Sequence, residues 1–161
     1  MRRITSLALI LSMLPVLPLA AQTMSFGAGS SDITSPVELS ADTMTVNQTT
    51  GKAELSGNVL VGQGEMRLSA DQAVIEYAQD DNSRISGLEA LGNVTLVNGP
   101  DAAEAQQAVY EVGSGNITLI GDVLLAQGKN VMASERIVVN LADGTAQASG
   151  RVRSVLQPGS N

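Results

Sequence analysis

The chain has 161 residues, with 16 Asp and Glu against 9 Lys and Arg, for a formal net charge of -7. It has no cysteine and no histidine, which excludes disulfides, thiolate zinc sites, cysteine nucleophiles, a serine triad and the commonest general base. The few cations are scattered rather than clustered, so a nucleic-acid partner is excluded as well, since phosphate binding needs grouped positive charge.

Arg2 and Arg3 precede an apolar run from Ile4 to Leu14, followed by Pro15, Pro18 and Leu19-Ala20-Ala21. A basic start, a short apolar middle and a small-residue exit predict a secretory signal peptide over 1–21, cleaved after Ala21. The run is shorter than the roughly 20 residues needed to span a bilayer, and prolines break it. An uncleaved anchor is the alternative. Residues 22–35, rich in Gly, Ser, Ala and Met, show no periodic pattern and are expected to be a flexible lead-in. Residues 157–161 are expected to be a tail.

Between these ends one stretch keeps returning. Leu55-Ser56-Gly57-Asn58-Val59 reappears as Ala90-Leu91-Gly92-Asn93-Val94, as Leu119-Ile120-Gly121-Asp122-Val123 and, worn, as Ala148-Ser149-Gly150-Arg151-Val152. A second marker, the head of each unit, starts at Ala41-Asp42, Ala70-Asp71, Ala105-Gln106 and Ser134-Glu135. Glycine to next head is 13 residues every time, and head to glycine is 16, 22, 16 and 16. A fixed period of this size is the signature of a repeat architecture. The six extra residues of the second unit fall around Gln79 to Arg84, a polar, turn-rich run where an insertion adds little loop-closure cost.

Within the units the dominant period is two, with Val, Ile and Thr enriched, as in half-buried strands. Turn signals recur at Thr50-Gly51-Lys52, Gly62-Gln63-Gly64, Gly113-Ser114-Gly115-Asn116, Gln127-Gly128-Lys129 and Asp143-Gly144. The alanine-rich Asp101 to Ala108 is the best helix candidate, but it sits where other units place a strand, and the repeat register takes precedence. Each unit is read as about four short strands, so four units make on the order of sixteen. The predicted fold is all-β, a rolled antiparallel sheet sandwich or jellyroll over residues 36–156. The repeat glycine permits a bulge or close approach where the strand bends into the other sheet.

The predicted apolar face runs through Met44, Val46, Leu55, Val59, Val61, Met66, Leu68 and Ile75. It continues through Val94, Leu96, Leu119, Val123, Leu125, Ile137 and Val139. Aromatic residues are limited to Phe26, Tyr77 and Tyr110, so this face is aliphatic. Alternation by itself reads these side chains as packing on each other, as in any sheet core. An interior left open to a guest is the second reading. The two open edges carry opposite charge, Glu38 and Asp42 at the first, Arg151 and Arg153 at the last. That charge either keeps copies apart or favours joining them head to tail.

Taken in order, Pro36-Val37-Glu38-Leu39-Ser40-Ala41-Asp42-Thr43-Met44, Gly51-Lys52-Ala53-Glu54-Leu55-Ser56-Gly57-Asn58-Val59, Leu68-Ser69-Ala70-Asp71-Gln72-Ala73, Ile120-Gly121-Asp122-Val123-Leu124-Leu125 and Ala148-Ser149-Gly150-Arg151-Val152 resemble the LptA/OstA family of periplasmic lipopolysaccharide-transport proteins. The resemblance covers about residues 36–156. It implies a β-jellyroll open at both ends, which holds lipopolysaccharide acyl chains, the lipid A part, between its sheets. On this reading the fifteen apolar residues named above are the lipid-binding lining. The resemblance also implies partners, the inner-membrane component LptC at the N-terminal edge and the outer-membrane component LptD at the C-terminal edge, with head-to-tail copies bridging the periplasm between them.

No catalytic constellation is expected. Asp42, Asp71 and Glu135 sit a full unit apart at strand heads and read as solvated or capping residues rather than an acid pair. Asp80-Asp81-Asn82 and Asp143-Gly144 fall short of a calcium loop. Gly62-Gln63-Gly64 and Gly113-Ser114-Gly115 are turns with no helix behind them, so they are not phosphate loops. Lys52, Arg67, Lys129, Arg151 and Arg153 are candidates to meet lipid phosphate near an opening, against the plainer reading of surface charge. No cofactor or metal is expected and no enzyme activity. The alternative function is a structural, self-assembling β-repeat module of the envelope with no lipid ligand.

Overall fold

The computed structural model describes residues 22–26, 32–81 and 83–157. The expected signal peptide and most of the expected tail lie outside these. Eleven strands form: β1 (Gln22–Ser25), β2 (Glu38–Ser40), β3 (Thr43–Asn47), β4 (Lys52–Gln63), β5 (Met66–Tyr77), β6 (Ile85–Asn98), β7 (Asp101–Glu111), β8 (Asn116–Gln127), β9 (Asn130–Asn140), β10 (Thr145–Ser149) and β11 (Arg153–Val155). They make one antiparallel sheet in the order β1-β10-β9-β8-β7-β6-β5-β4-β2, with β3 also on β4 and β11 also on β9. The fold is the all-β, antiparallel architecture that the alternation predicts. The helix candidate at Asp101 is strand β7.

The strand count differs from the expectation of four short strands per unit. Each unit supplies two strands rather than four; β4 to β9 run 11 to 14 residues each, and the outermost of the first and last units are broken into the short β2 and β3 and the short β10 and β11. The repeat glycine marks a bend within a strand rather than its end, because ladder hydrogen bonds resume beyond it. Pairing of β4 with β5 shifts between Ser56 and Val59, and that of β8 with β9 between Ile120 and Val123. At each bend two successive residues take positive φ. Gly57, Gly92, Gly121 and Gly150 lie at 75, 77, 84 and 77°, and Asn58, Asn93, Asp122 and Arg151 at 48, 45, 44 and 40°. Left-handed backbone is costly for most side chains and least so for Gly, Asn and Asp, which is why three of the four copies read Gly-Asn or Gly-Asp.

The unit heads lock these bends. Asn58 Nδ2 donates to Asp42 Oδ2 at 2.8 Å and Asn93 Nδ2 to Asp71 Oδ2 at 2.8 Å. Gln106 Nε2 donates to Asp122 Oδ2 at 2.9 Å, and Arg151 Nε to Glu135 Oε1 at 2.7 Å. The head side chain covers its glycine so closely that a Cβ on Gly92 would lie 2.5 Å from Asp71 Oδ2. Partners are separated by 16, 22, 16 and 16 residues, which is the head-to-glycine spacing of the sequence. The six extra residues of the second unit fall around the β5–β6 turn: the connection has seven residues where β7 and β8 are joined by four, and the strand ends extend beyond the Glu76–Gly87 pair to Tyr77 and Ile85.

The bends divide every long strand into two halves, and β2/β3 and β10/β11 are the same ribbon interrupted at its corner. Side chains from both halves meet in one apolar cluster, so the sheet is folded over on itself. The expected flexible lead-in is structured where it is described. Gln22 to Ser25 pair with Ala148 to Thr145, and Phe26 is fully buried with its N–H on Gly144 O at 2.8 Å. Low periodicity concealed this segment because a lone strand of four residues carries too short a pattern to read.

Candidate functional site

The interior is built in rows across the strands. In the first halves, paired residues Ala53, Ile75, Leu88, Tyr110, Ile117, Val139 and Ala146 form one row. Leu55, Ala73, Ala90, Ala108, Leu119, Ile137 and Ala148 form the next row toward the bend. In the second halves, Val61, Leu68, Leu96, Ala103, Leu125 and Met132 form the facing row. Alanines gather where the halves converge, since only a small side chain fits near the apex of a fold. None of them is among the fifteen residues expected to line the interior, because alanine carries little weight in an apolar pattern.

Of the fifteen residues predicted to line the interior, thirteen are inward and at most 2% exposed: Leu55, Val59, Val61, Met66, Leu68, Ile75, Val94, Leu96, Leu119, Val123, Leu125, Ile137 and Val139. Met44 and Val46 are different, at 47% and 55% exposed. They pair with Leu55 and Ala53 and so point to the inner face, because directly paired residues share a face of a sheet. They are exposed because β3 is the edge and the described chain places nothing over it. Their chain neighbours Thr43 and Thr45, paired with Ser56 and Glu54, take the outer face.

The thirteen inward residues pack against one another and against the alanines in a single cluster. Two grooves of the described surface have mixed lining and reach members of this cluster. One runs beside Lys52, Glu76, Glu89 and Glu111 and touches Leu88 and Tyr110; another, beside Glu104, Glu135, Arg151 and Arg153 at the C-terminal edge, touches Val123. Several cations expected near an opening are engaged within the chain. Lys52 Nζ meets Glu76 Oε1 at 2.6 Å, and this contact holds its ammonium above the ordinary lysine value. Arg151 is tied to Glu135, and Arg67 Nη1 donates to Gly64 O and Met66 O.

One rim of the interior is polar. Gln63, Met66, Asn98, Asp101, Gln127 and Asn130 are successive paired residues at the outer end of the second halves. Gln127 Nε2 donates to Asp101 Oδ2 at 3.0 Å. Tyr110 Oη donates to Gln63 Oε1 across the interior. Burial pushes the Tyr110 phenol above its ordinary pKa, so it stays a neutral donor. Apart from Met66, no member of this row is among the residues expected inside, because its polar members sit beside turns, where polar residues are ordinary. Among the described residues no group of three His, Cys, Asp or Glu is placed to hold a metal, and no helix is long and apolar enough to cross a membrane.

Comparison with known proteins agrees with this architecture. Residues 38–145 match the family model described as LptA/(LptD N-terminal domain) LPS transport protein. An uncharacterized protein of Rhizobium meliloti (strain 1021) is 30% identical over 133 residues, which are 76% of this chain and 72% of that protein. The crystal structure of LptH, described as the LptA-homologous periplasmic component of the lipopolysaccharide transport device of Pseudomonas aeruginosa, superposes with a TM-score of 0.72. It is 20% identical, and the match covers 80% of this chain and 99% of LptH, which shows the shared fold. The family match spans the four unit heads, three of the four bends and most of the inward rows described above, and this chain belongs to the LptA/LptD N-terminal domain family of lipopolysaccharide transport proteins, which are not enzymes.

Proposed function

We propose that this protein carries lipopolysaccharide across the periplasm by sheltering its acyl chains between the two halves of the folded sheet. The observation that carries the reading is the continuity of the inner apolar face. It runs from the exposed Met44 and Val46 at one edge, through every long strand, to Met132 beside β11 at the other. Hydrocarbon burial is worth about 0.8 kcal/mol per CH₂, so a twelve-carbon chain is held by roughly 9 kcal/mol. Such a chain does not cross water at a useful rate, whereas a continuous aliphatic face lets it move without leaving apolar surroundings. The lining is Val, Leu, Ile, Ala and Met, and methionine adapts readily to mobile neighbours. The halves are in contact, so entering hydrocarbon parts them and replaces side-chain contacts with lipid contacts.

On the same reading the chain is exported by its N-terminal signal, cleaved after Ala21. It then bridges inner- and outer-membrane components, LptC meeting the β2/β3 edge and LptD the β10/β11 edge, with head-to-tail copies completing the span. Unpaired backbone at the β2/β3 edge supports joining of this kind there, and at the other edge a partner meets or displaces β1, which is paired with β10. A second reading, a structural module with a dry core, is favoured by one observation, the close packing of the inward residues. Photocrosslinkers at Val59, Leu96 and Val123 separate the two. Lipid A crosslinked at these positions, and not at outward Thr43 or Thr45, is the expected result. Absence of lipid at all three, with none carried through purification by mass spectrometry, leaves the structural module.

A further inference from the structure

Residues at the N-terminal end of the described chain touch both rims and both edges of the folded sheet. Gln63, only 3% exposed, is the hub. Its Nε2 donates to Ile33 O at 2.8 Å and to Ser35 O at 2.9 Å, and its Oε1 accepts from Tyr110 Oη. Strands β4 and β7 are separated by β5 and β6, which is about 14 Å within a sheet at 4.8 Å per strand. The Gln63–Tyr110 bond therefore crosses from one half to the other.

Residues 32–35 lie in the slot between two turns. On one side a Cβ at Gly64 would sit 3.6 Å from Asp32 O, and on the other a Cβ at Gly115 would sit 3.2 Å from Ile33 Cγ2. The Asp32 carboxylate makes this stretch a turn, accepting from Thr34 Oγ1 at 2.5 Å, Thr34 N at 2.9 Å and Ser35 Oγ at 3.0 Å. Upstream, Phe26 is fully buried and β1 occupies the outer edge of β10. Downstream, β2 begins the opposite edge.

We propose that Gln22–Phe26 and residues 32–35 form a strap that closes the slot between the rims, latched by Gln63, and that an acyl chain entering the interior releases it. The proposal rests on the lipid-carrying reading and adds its control. Hydrocarbon that parts the halves stretches the Tyr110–Gln63 bond beyond hydrogen-bonding range, and it competes with Phe26 for the same apolar volume. Once Gln63 turns away from the slot, the carbonyls of Ile33 and Ser35 lose their donor. Release of β1 then bares the β10 edge, so that a loaded protein offers β10 as its terminal strand where an empty one offers β1.

Hydrogen exchange of the purified protein, with and without lipid A, tests this directly. Exchange of the 22–26 amides is expected to rise at least tenfold on loading, with a parallel rise along β10. Gln63→Glu keeps an acceptor for Tyr110 but cannot donate to Ile33 and Ser35, and it is expected to show fast exchange without lipid and several-fold faster lipid A uptake. Asp32→Asn, on the exposed side of the strap, gives the same change more weakly and stands in if Gln63→Glu does not fold. Lipid A bound with exchange of 22–26 unchanged or slowed overturns the strap and leaves the carrier reading intact. No lipid A bound by any of the three proteins overturns both.

Discussion

The two edges of the sheet are finished differently. At the first, β2 and β3 have no strand beyond them among the described residues, and two apolar side chains of the inner face, Met44 and Val46, stand about half exposed. At the last, β10 is covered by β1 from the same chain, and Phe26 closes the core beside it. Corners built alike therefore end in one edge that advertises the interior and one that hides it. A sheet edge left bare invites another strand, and at the last edge the terminal position passes from β10 to the four-residue β1 of the same chain. The charge at the ends is engaged differently. Arg151 is paired with Glu135, whereas Asp42 accepts from the neutral Asn58 amide and keeps its negative charge.

The largest expected effect probes the closed edge. Phe26→Ala should lower unfolding free energy by about 3–5 kcal/mol, as a buried ring replaced by a cavity does, measured by urea denaturation. A loss below about 0.5 kcal/mol would mean that Phe26 is not held in the core in solution, and the contrast between the edges would vanish. Next, Tyr110→Phe leaves Gln63 Oε1 without its donor in a buried site and should cost about 1–3 kcal/mol. Gly57→Ala and Gly150→Ala test the corners at the two edges. Each places a Cβ on left-handed backbone, worth about 1–2 kcal/mol against it, and each crowds an acid already over the glycine. Thermal unfolding should rank the two alike, since the corner is the same device at both edges.

Smaller effects are expected at the open edge. Met44→Asp with Val46→Asp should change monomer stability by less than about 0.5 kcal/mol, as exposed sites do, while abolishing any self-association seen by sedimentation. Stability loss as large as that of Phe26→Ala would show that this edge is covered in solution. The smallest concerns the strap. Hydrogen bonds from the Thr34 side chain and backbone and from Ser35 hold the Asp32 carboxyl below its ordinary value of 3.8. A depressed carboxyl contributes order that is present above its unfolded pKa and lost as pH falls through its folded one. The Thr34 amide resonance should therefore titrate with a midpoint below 3.8, and a midpoint at or above it would mean that the turn is not formed.

Much of the interior was legible because alternation is local. Val59, Val61, Met66 and Leu68 are inward in the strand halves where a period of two places them. Met44 and Val46 were assigned to the correct face, but exposure depends on what lies beyond the edge, which no pattern within β3 records. The bends were legible as glycines at constant spacing, where a strand is expected to turn into the other sheet, but the length of the strands that carry them was not. Whether a ladder resumes after a bulge depends on the neighbouring strand. Asp42, Asp71 and Glu135 were set aside as solvated caps. Their role over the glycines follows from a partner 16 or 22 residues away, and the equality of that separation with the head-to-glycine spacing was the available signal.

From the amino-acid order alone came the repeat, the all-β class, the aliphatic inner face and the position of the insertion, because each is a regularity between near neighbours along the chain. The folded structure alone decided that Gln63 reaches Tyr110, that Phe26 enters the core and that β1 covers β10. Those are meetings of residues 47 or more than 100 positions apart, chosen by which surfaces the bends bring face to face rather than by any period the chain carries.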